Sequence, residues 1–122
     1  MECNHTMSEA VSYCENKSYI KLKNKIIMKN AKYSINANLV YKNGYSGKNV
    51  NIAVLDTGVF KHKQLYGCIK HFMDLVGGKE TCYDDNGHGT HVCGILSAAD
   101  IGMAPGAGLY VFKVLDYLGM GQ

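Results

Sequence analysis

The run from Val50 to Leu55 is the feature that most constrains the fold of this chain. It is short, rich in β-branched residues and apolar at nearly every position. Runs of this kind are typical of strands buried in a parallel sheet, whereas a strand with one solvated face alternates apolar and polar residues. Asp56 ends the run, and in open α/β sheets binding and catalytic sites lie at that end of the strands. The sequence therefore predicts a parallel sheet with a candidate site at Asp56.

Two further strands and two helices are predicted around this run. The strands are Cys68–Met73 and Leu109–Leu115, and a short helix over Asn36–Asn43 ends at Gly44, which acts as its C-terminal cap. The order helix, strand, strand, helix, strand predicts an α/β fold with a mostly parallel sheet flanked by helices.

The second helix begins near Asn86 or His88. Asp84 and Asp85 precede it, where negative charge favours the positive end of a helix. Four apolar residues then follow at helical spacing and predict one buried face: Val92, Ile95, Leu96 and Ala99.

Residues 1–34 carry little information. Lysines alternate in part with isoleucine and leucine there, which fits an exposed strand or an unstructured basic arm. We interpret residues 1–34 as a solvated N-terminal arm or the remnant of a pro-segment, with binding to an acidic partner as the alternative. Residues 35–122 form the remaining unit.

Composition excludes several classes of function. The 122 residues suffice for one domain, and 47% hydrophobic with 19% charged residues is ordinary for a soluble globular protein. The net charge of +3 comes from lysine without any arginine, which argues against nucleic acid as a partner. The longest mostly apolar stretch, Val92 to Ala99, is far shorter than the ~20 residues of a membrane-spanning helix. No membrane association is expected.

The N-terminus and the cysteines give only a default expectation for the cellular location. The N-terminus does not have the pattern of a signal peptide, so a cytoplasmic location is the default expectation. The five cysteines cannot all pair, and in that setting they are expected to be reduced.

Asp56 and His88 form the candidate catalytic pair. Serine-dependent hydrolysis needs an imidazole that accepts the hydroxyl proton and a buried carboxylate that fixes the tautomer of that imidazole. A strand end and a helix start at the same rim of an α/β sheet can bring these two groups together.

Three segments resemble the subtilisin family of serine peptidases. Val54 to Val59 (VLDTGV), followed by His62, resembles the aspartate motif of that family, and Asn86 to Gly94 (NGHGTHVCG) resembles its histidine motif, with Cys93 where alanine is usual. The segment from Gly102 to Gln122 is similar to the one that leads into the substrate-binding edge strand. The order aspartate before histidine and the separation of 32 residues (88 − 56) also agree with the family. The similarity covers residues 38–122, and it implies that residues 35–122 are the N-terminal portion of a subtilisin-like peptidase domain.

The resemblance implies a serine-type endopeptidase acting on a peptide or protein substrate. Asp56 and His88 would be its catalytic residues, and Gly119, Met120 and Gly121 would pair with the substrate backbone. The motif that carries the nucleophilic serine does not occur in the sequence. The fold would therefore be incomplete, the missing C-terminal portion of the catalytic domain would be a partner, and the fragment alone would be inactive. The alternative is a non-catalytic remnant or split-protein module that binds a peptide or a complementary fragment.

No metal or other cofactor is predicted. His88 and His91 lie three residues apart, whereas the zinc-peptidase helix has two histidines four apart with a glutamate between them. His91 is predicted to be a buried histidine bonded to backbone, and Cys93 a packed thiol. Nucleotide binding by Gly102, Gly106 and Gly108 is not predicted either. These glycines precede a strand, whereas the glycines of the phosphate-binding motif follow one.

Calcium at one family site is also not expected. Gln64 stands where the resemblance implies an aspartate that often binds calcium, and the loop between Ala99 and Gly102 is short.

Overall fold

The computed structural model describes residues 29–121. Most of the predicted N-terminal arm, residues 1–28, lies outside this range. Residues 29–34 are helical, so the final part of the segment is neither the strand nor the unstructured arm that its lysine spacing suggested.

Five elements follow residue 36 in the predicted order. They are helix α1 (Ala37–Lys42), strand β1 (Asn51–Asp56), strand β2 (Ile69–Asp74), helix α2 (His88–Ser97) and strand β3 (Gly108–Lys113). The predicted α/β class is confirmed, with strand bounds that differ from the sequence-based ones by one or two residues.

The three strands form a parallel sheet in the order β1-β3-β2. The central strand, β3, pairs with both others, and its last residue, Lys113, is in register with Asp56 of β1 and Asp74 of β2. Three ionisable side chains therefore end the three strands side by side. All three residues are buried.

Helix α2 packs against β1 and β3 on one face of the sheet. The core between them consists of the following buried residues: Val54, Val59, Leu65, Cys68, Cys93, Ala98, Leu109 and Val111. Burial of this apolar surface is the main term that holds the helix against the sheet.

The buried face of α2 differs from the predicted one. Gly89, Cys93 and Ser97, four residues apart, are its buried residues. Val92 and Leu96 are only partly buried, and Ile95 is 38% exposed. Val92 and Leu96 still pack against the core, so the prediction was wrong for Ile95 and Ala99, which are exposed. It followed the large apolar side chains, while the sheet approaches the helix where the side chains are small.

His91 is exposed, contrary to the prediction that it is buried. It lies two residues from both Gly89 and Cys93, which places it on the opposite side of a helix that turns about 100° per residue.

The other face of the sheet is largely uncovered in the described part of the chain. We call it the open face and define it by six residues: Ala53, Leu55, His71, Met73, Tyr110 and Phe112. Leu55 is 63% and Met73 42% exposed. His71 contacts the rings of Tyr110 and Phe112, with centroid distances of 6.1 and 6.0 Å.

Between residues 29 and 121, none of the helices has the length and apolar character needed to cross a bilayer.

Candidate active site

Asp56 and His88 meet at the carboxyl end of the sheet. Asp56 is the last residue of β1 and His88 the first of α2. The Nδ1 atom of His88 lies 2.8 Å from Oδ1 and 3.0 Å from Oδ2 of Asp56. The Asp56 side chain is 11% exposed, whereas that of His88 is 64% exposed. A carboxylate in this position favours the proton on Nδ1 and leaves Nε2 as the acceptor.

The Asp56 carboxylate affects the protonation of His88. The hydrogen bond from Nδ1 to Asp56, the negative charge of Asp56 and the charge of Asp84 together raise the pKa of His88. The backbone N–H of Thr57 donates to Oδ1 of Asp56 at 2.7 Å and gives the carboxylate a second hydrogen-bonded partner.

Asp84 connects the loop after Asp56 to the start of α2. Its Oδ1 accepts from the Thr57 hydroxyl at 2.9 Å and from the Gly87 N–H at 2.8 Å. Its Oδ2 accepts from the N–H of Thr90 at 2.8 Å and from the Thr90 hydroxyl. Partial burial would raise the pKa of Asp84, but hydrogen bonds from Thr90, Gly87 and Thr57 outweigh it and lower the pKa to about 2.

Two glycines allow the same two segments to touch. Gly58 has a φ of +116°, a conformation that side chains disfavour, and it forms a bridge with Asp84. Gly89 lies directly against the backbone of Gly58, where a Cβ atom would overlap the Gly58 carbonyl. The N–H of Gly89 donates to the Thr57 hydroxyl at 2.9 Å. The two segments are therefore held by backbone contact as well as by Asp84.

The sequence matches known proteins over the segments that form this site. The model of the Subtilase family matches residues 47–121. The chain belongs to the subtilase family.

Individual relatives agree with this membership. "Serine protease AprX" of Bacillus subtilis (strain 168) is 38% identical over 91% of this chain and 28% of its own length. "Subtilisin Savinase" of Lederbergia lenta is 39% identical over 72% of this chain and 34% of its own length. The crystal structure of a cold adapted subtilisin-like serine proteinase superposes with a TM-score of 0.59 at 33% identity, over 64% of this chain and 29% of that one. The chain thus spans roughly a third or less of these subtilases.

The predicted substrate-binding residues lie in a tight turn after β3. The N–H of Asp116 donates to the Met120 carbonyl at 3.0 Å, and the Asp116 carboxylate accepts from the N–H of Met120 at 2.9 Å. The N–H of Gly119 also donates within the turn. Gly121 forms an antiparallel bridge with Leu115, and among residues 29–121 the Gly119 carbonyl and the N–H and carbonyl of Gly121 have no hydrogen-bond partner.

Asn86 links this turn to the catalytic helix. Its Nδ2 donates to the Tyr117 carbonyl at 3.0 Å, and its Oδ1 accepts from the N–H of His88 at 3.2 Å. One side chain therefore ties the turn that carries Gly119–Gly121 to the backbone of the candidate base, His88.

The described residues do not contain a group of three or more histidine, cysteine or acidic side chains arranged to hold a metal. Asp84 is occupied by five protein donors, and Cys93 is fully buried. Gln64 exchanges two hydrogen bonds with Asp100, at 2.7 and 2.9 Å. The absence of calcium at Gln64 stays a prediction.

Sequence reasoning missed Lys113 and most of the role of Asp84. Lys113 is 1% exposed and stands in the otherwise apolar run of β3, on the same face as Leu109 and Val111. The alternation of Leu109, Val111 and Lys113 along the strand is the sequence pattern that indicates a buried lysine. Asp84 was predicted only as a favourable charge near α2, because its contact with Thr57 spans 27 residues of chain.

Proposed function

We propose that this subtilase chain carries the acid–base part of a serine-type endopeptidase. Asp56 orients His88, and Nε2 of His88 takes the proton of an attacking hydroxyl and later returns it to the leaving amine. The observation that carries the proposal is the contact of Nδ1 with both oxygens of a largely buried Asp56, while the imidazole remains open to a substrate.

The raised pKa of His88 is consistent with this role. Proton transfer is most efficient when the base has a pKa near the working pH. A protonated imidazole beside Asp56 is stabilised by the charge of the carboxylate, which is the state that follows removal of the hydroxyl proton.

The substrate is a peptide that adds to the turn at Gly119–Gly121 as an extended strand. Backbone pairing of this kind needs unpaired N–H and carbonyl groups. The free groups of Gly121 and the Gly119 carbonyl can provide them, whereas the N–H and carbonyl of Met120 are used inside the turn.

The 122 residues alone are proposed to be inactive. Three serines lie in the described range, and none of their hydroxyls is bonded to His88. Ser97 is 1% exposed, Ser34 donates to its own segment, and Ser46 lies in the turn before β1. The nucleophile would come from a complementary portion of a longer subtilase domain, with which the present chain would associate.

Two measurements on the 122-residue chain test the proposal. The first is the pKa of His88, followed by NMR of the imidazole carbons, in the wild type and in Asp56→Asn. The pKa should fall toward that of an unpaired histidine in Asp56→Asn and remain unchanged in Asp100→Asn, a matched substitution of an exposed aspartate. An unchanged pKa in Asp56→Asn would refute the catalytic pair.

The second measurement is labelling with a fluorophosphonate probe. We expect no serine adduct in intact-mass spectra. Stoichiometric labelling of a serine would refute the proposed inactivity of the fragment, while leaving the assignment of Asp56 and His88 intact.

A non-catalytic binding module is the second candidate, and the open face favours it. Exposed Leu55, Met73 and Tyr110 provide an apolar surface of the kind that other polypeptides cover. If the pKa of His88 is the same in the wild type and in Asp56→Asn, and the chain binds a peptide, the binding module is favoured over the peptidase.

A further inference from the structure

Lys113 is an unusual residue for the interior of a small sheet. It is 1% exposed and lies on the face that packs against α2. A buried ammonium is costly unless acceptors replace the water it has lost. The acceptors around Lys113 therefore indicate what keeps it there.

Each of the three protons of the ammonium has an acceptor. Nζ donates to the Thr57 carbonyl at 2.7 Å, to Oδ1 of Asp85 at 2.7 Å and to the Leu115 carbonyl at 2.8 Å. A lysine has three donors and no more, so its capacity is used completely.

The three acceptors belong to three different parts of the candidate site. Thr57 directly follows Asp56, Asp85 lies in the loop that leads into His88, and Leu115 begins the turn that carries Gly119–Gly121. The ammonium is thus the one point among the described residues at which a single side chain contacts the segments of the carboxylate, the imidazole and the substrate turn.

The contact with Thr57 acts on Asp56 over one peptide unit. The N–H of Thr57 donates to the Asp56 carboxylate, and its carbonyl accepts from Lys113. Fixing Thr57 at both ends determines where the carboxylate points. The hydroxyl of the same residue bonds to Asp84 and accepts from the N–H of Gly89, beside His88.

We propose that Lys113 is a positioning residue of this site: its ammonium holds the backbone after Asp56, the loop before His88 and the start of the substrate turn in the arrangement that lets Asp56 contact His88. The inference rests on the proposed function. It assigns Lys113 no contact with the substrate.

The test uses Lys113→Met, which keeps an unbranched side chain one atom shorter and removes the ammonium. If Lys113 positions the pair, the pKa of His88 falls in the same direction as in Asp56→Asn, in a chain whose amide spectrum away from the site is unchanged. Lys70→Met serves as the matched control, because Lys70 is an exposed lysine on β2 and should leave the pKa unchanged.

A purely structural role would predict a different result. Lys113→Met would then lower the stability, while the His88 pKa of the folded chain would equal that of the wild type, and this outcome would overturn the proposal. If Asp56→Asn itself has no effect on His88, the proposed function fails. If Asp56→Asn has the effect and Lys113→Met does not, only the role of Lys113 fails.

Asp85→Asn provides the test if Lys113→Met does not fold. Removing the charge of Asp85 weakens one of the three hydrogen bonds of Lys113, but it also changes the electrostatic field at His88. At about 1 M salt, where screening acts over about 3 Å, the field effect is suppressed. A fall of the His88 pKa that persists in salt supports positioning. A fall that disappears in salt, or that Glu80→Gln reproduces, overturns it.

Discussion

Asp84→Asn gives the most direct test of how the two catalytic segments are held together. The substitution preserves size but replaces one carboxylate oxygen by an NH2 group. In the present orientation, the Oδ2 partners are the N–H and the hydroxyl of Thr90. The hydroxyl can turn to accept, whereas the N–H is left facing another donor. Loss of one hydrogen bond to a charged group costs on the order of 1.5–3 kcal/mol.

The pKa of Asp84 gives an independent magnitude. Hydrogen bonding lowers it from 3.8 to about 2, and at about 1.4 kcal/mol for each tenfold change this corresponds to about 2 kcal/mol. Because the carboxylate is only partly buried, solvent screening makes this an upper figure. The hydrogen-bond figure and the discounted pKa figure overlap, and we expect Asp84→Asn to lower the free energy of unfolding by about 1–2 kcal/mol at pH 7.

The pH dependence has a definite sign. A carboxylate whose folded pKa is depressed contributes stability above its unfolded pKa, and that contribution is lost as the pH falls through the folded pKa. The difference between the wild type and Asp84→Asn should therefore be constant from pH 7 down to about pH 5. It should then shrink between pH 3.8 and about 2.

Urea unfolding followed by far-UV circular dichroism at several pH values measures this difference. Glu80→Gln, which removes an exposed acid in the same loop, should follow the wild type throughout. A difference that is absent at pH 7, or one that is the same at pH 7 and pH 2, would refute the reasoning from charge and hydrogen bonding.

Three further predictions concern packing, thiols and calcium. Gly89→Ala should lower the free energy of unfolding in urea by about 1–3 kcal/mol, because the added Cβ would overlap the Gly58 carbonyl. The same overlap should lower the pKa of His88. A urea midpoint equal to that of the wild type would contradict this prediction. Burial raises the pKa of Cys93 to about 12, so partly exposed Cys82 should react with a maleimide well before Cys93, and equal labelling rates by mass spectrometry would argue otherwise. The melting temperature should be the same with calcium and with chelator, whereas a rise of several degrees in calcium would disprove the absence of that site.

The elements of the fold could be predicted because their signals are local. The apolar run at Val50–Leu55, the turn at Gly44 and the glycine-rich start of α2 each lie within a few residues, so the order of helices and strands was correct. The parallel pairing also followed from this order. Parallel strands need a long crossover connection, whereas antiparallel neighbours can be joined by a tight hairpin.

What failed depended on contacts between distant segments. The buried face of α2 could not be inferred from hydrophobicity, because the close approach of Gly89 to Gly58 selects small residues there. Two of the three partners of Lys113, Asp85 and Thr57, lie 28 and 56 residues away along the chain. The contact between Asp56 and His88 also spans distant residues, and it was expected only because both lie at ends of elements that face one rim.

The hydrogen bonds of Asp84 to two separate segments limit the substitutions that this position can accept. Its two oxygens satisfy donors from both catalytic segments, so a replacement that has neither oxygen leaves unpaired groups on two sides at once. A compensating change at Thr57 would repair only one of them. Anyone who designs variants of this scaffold should therefore choose the residues at the three positions 57, 84 and 90 together.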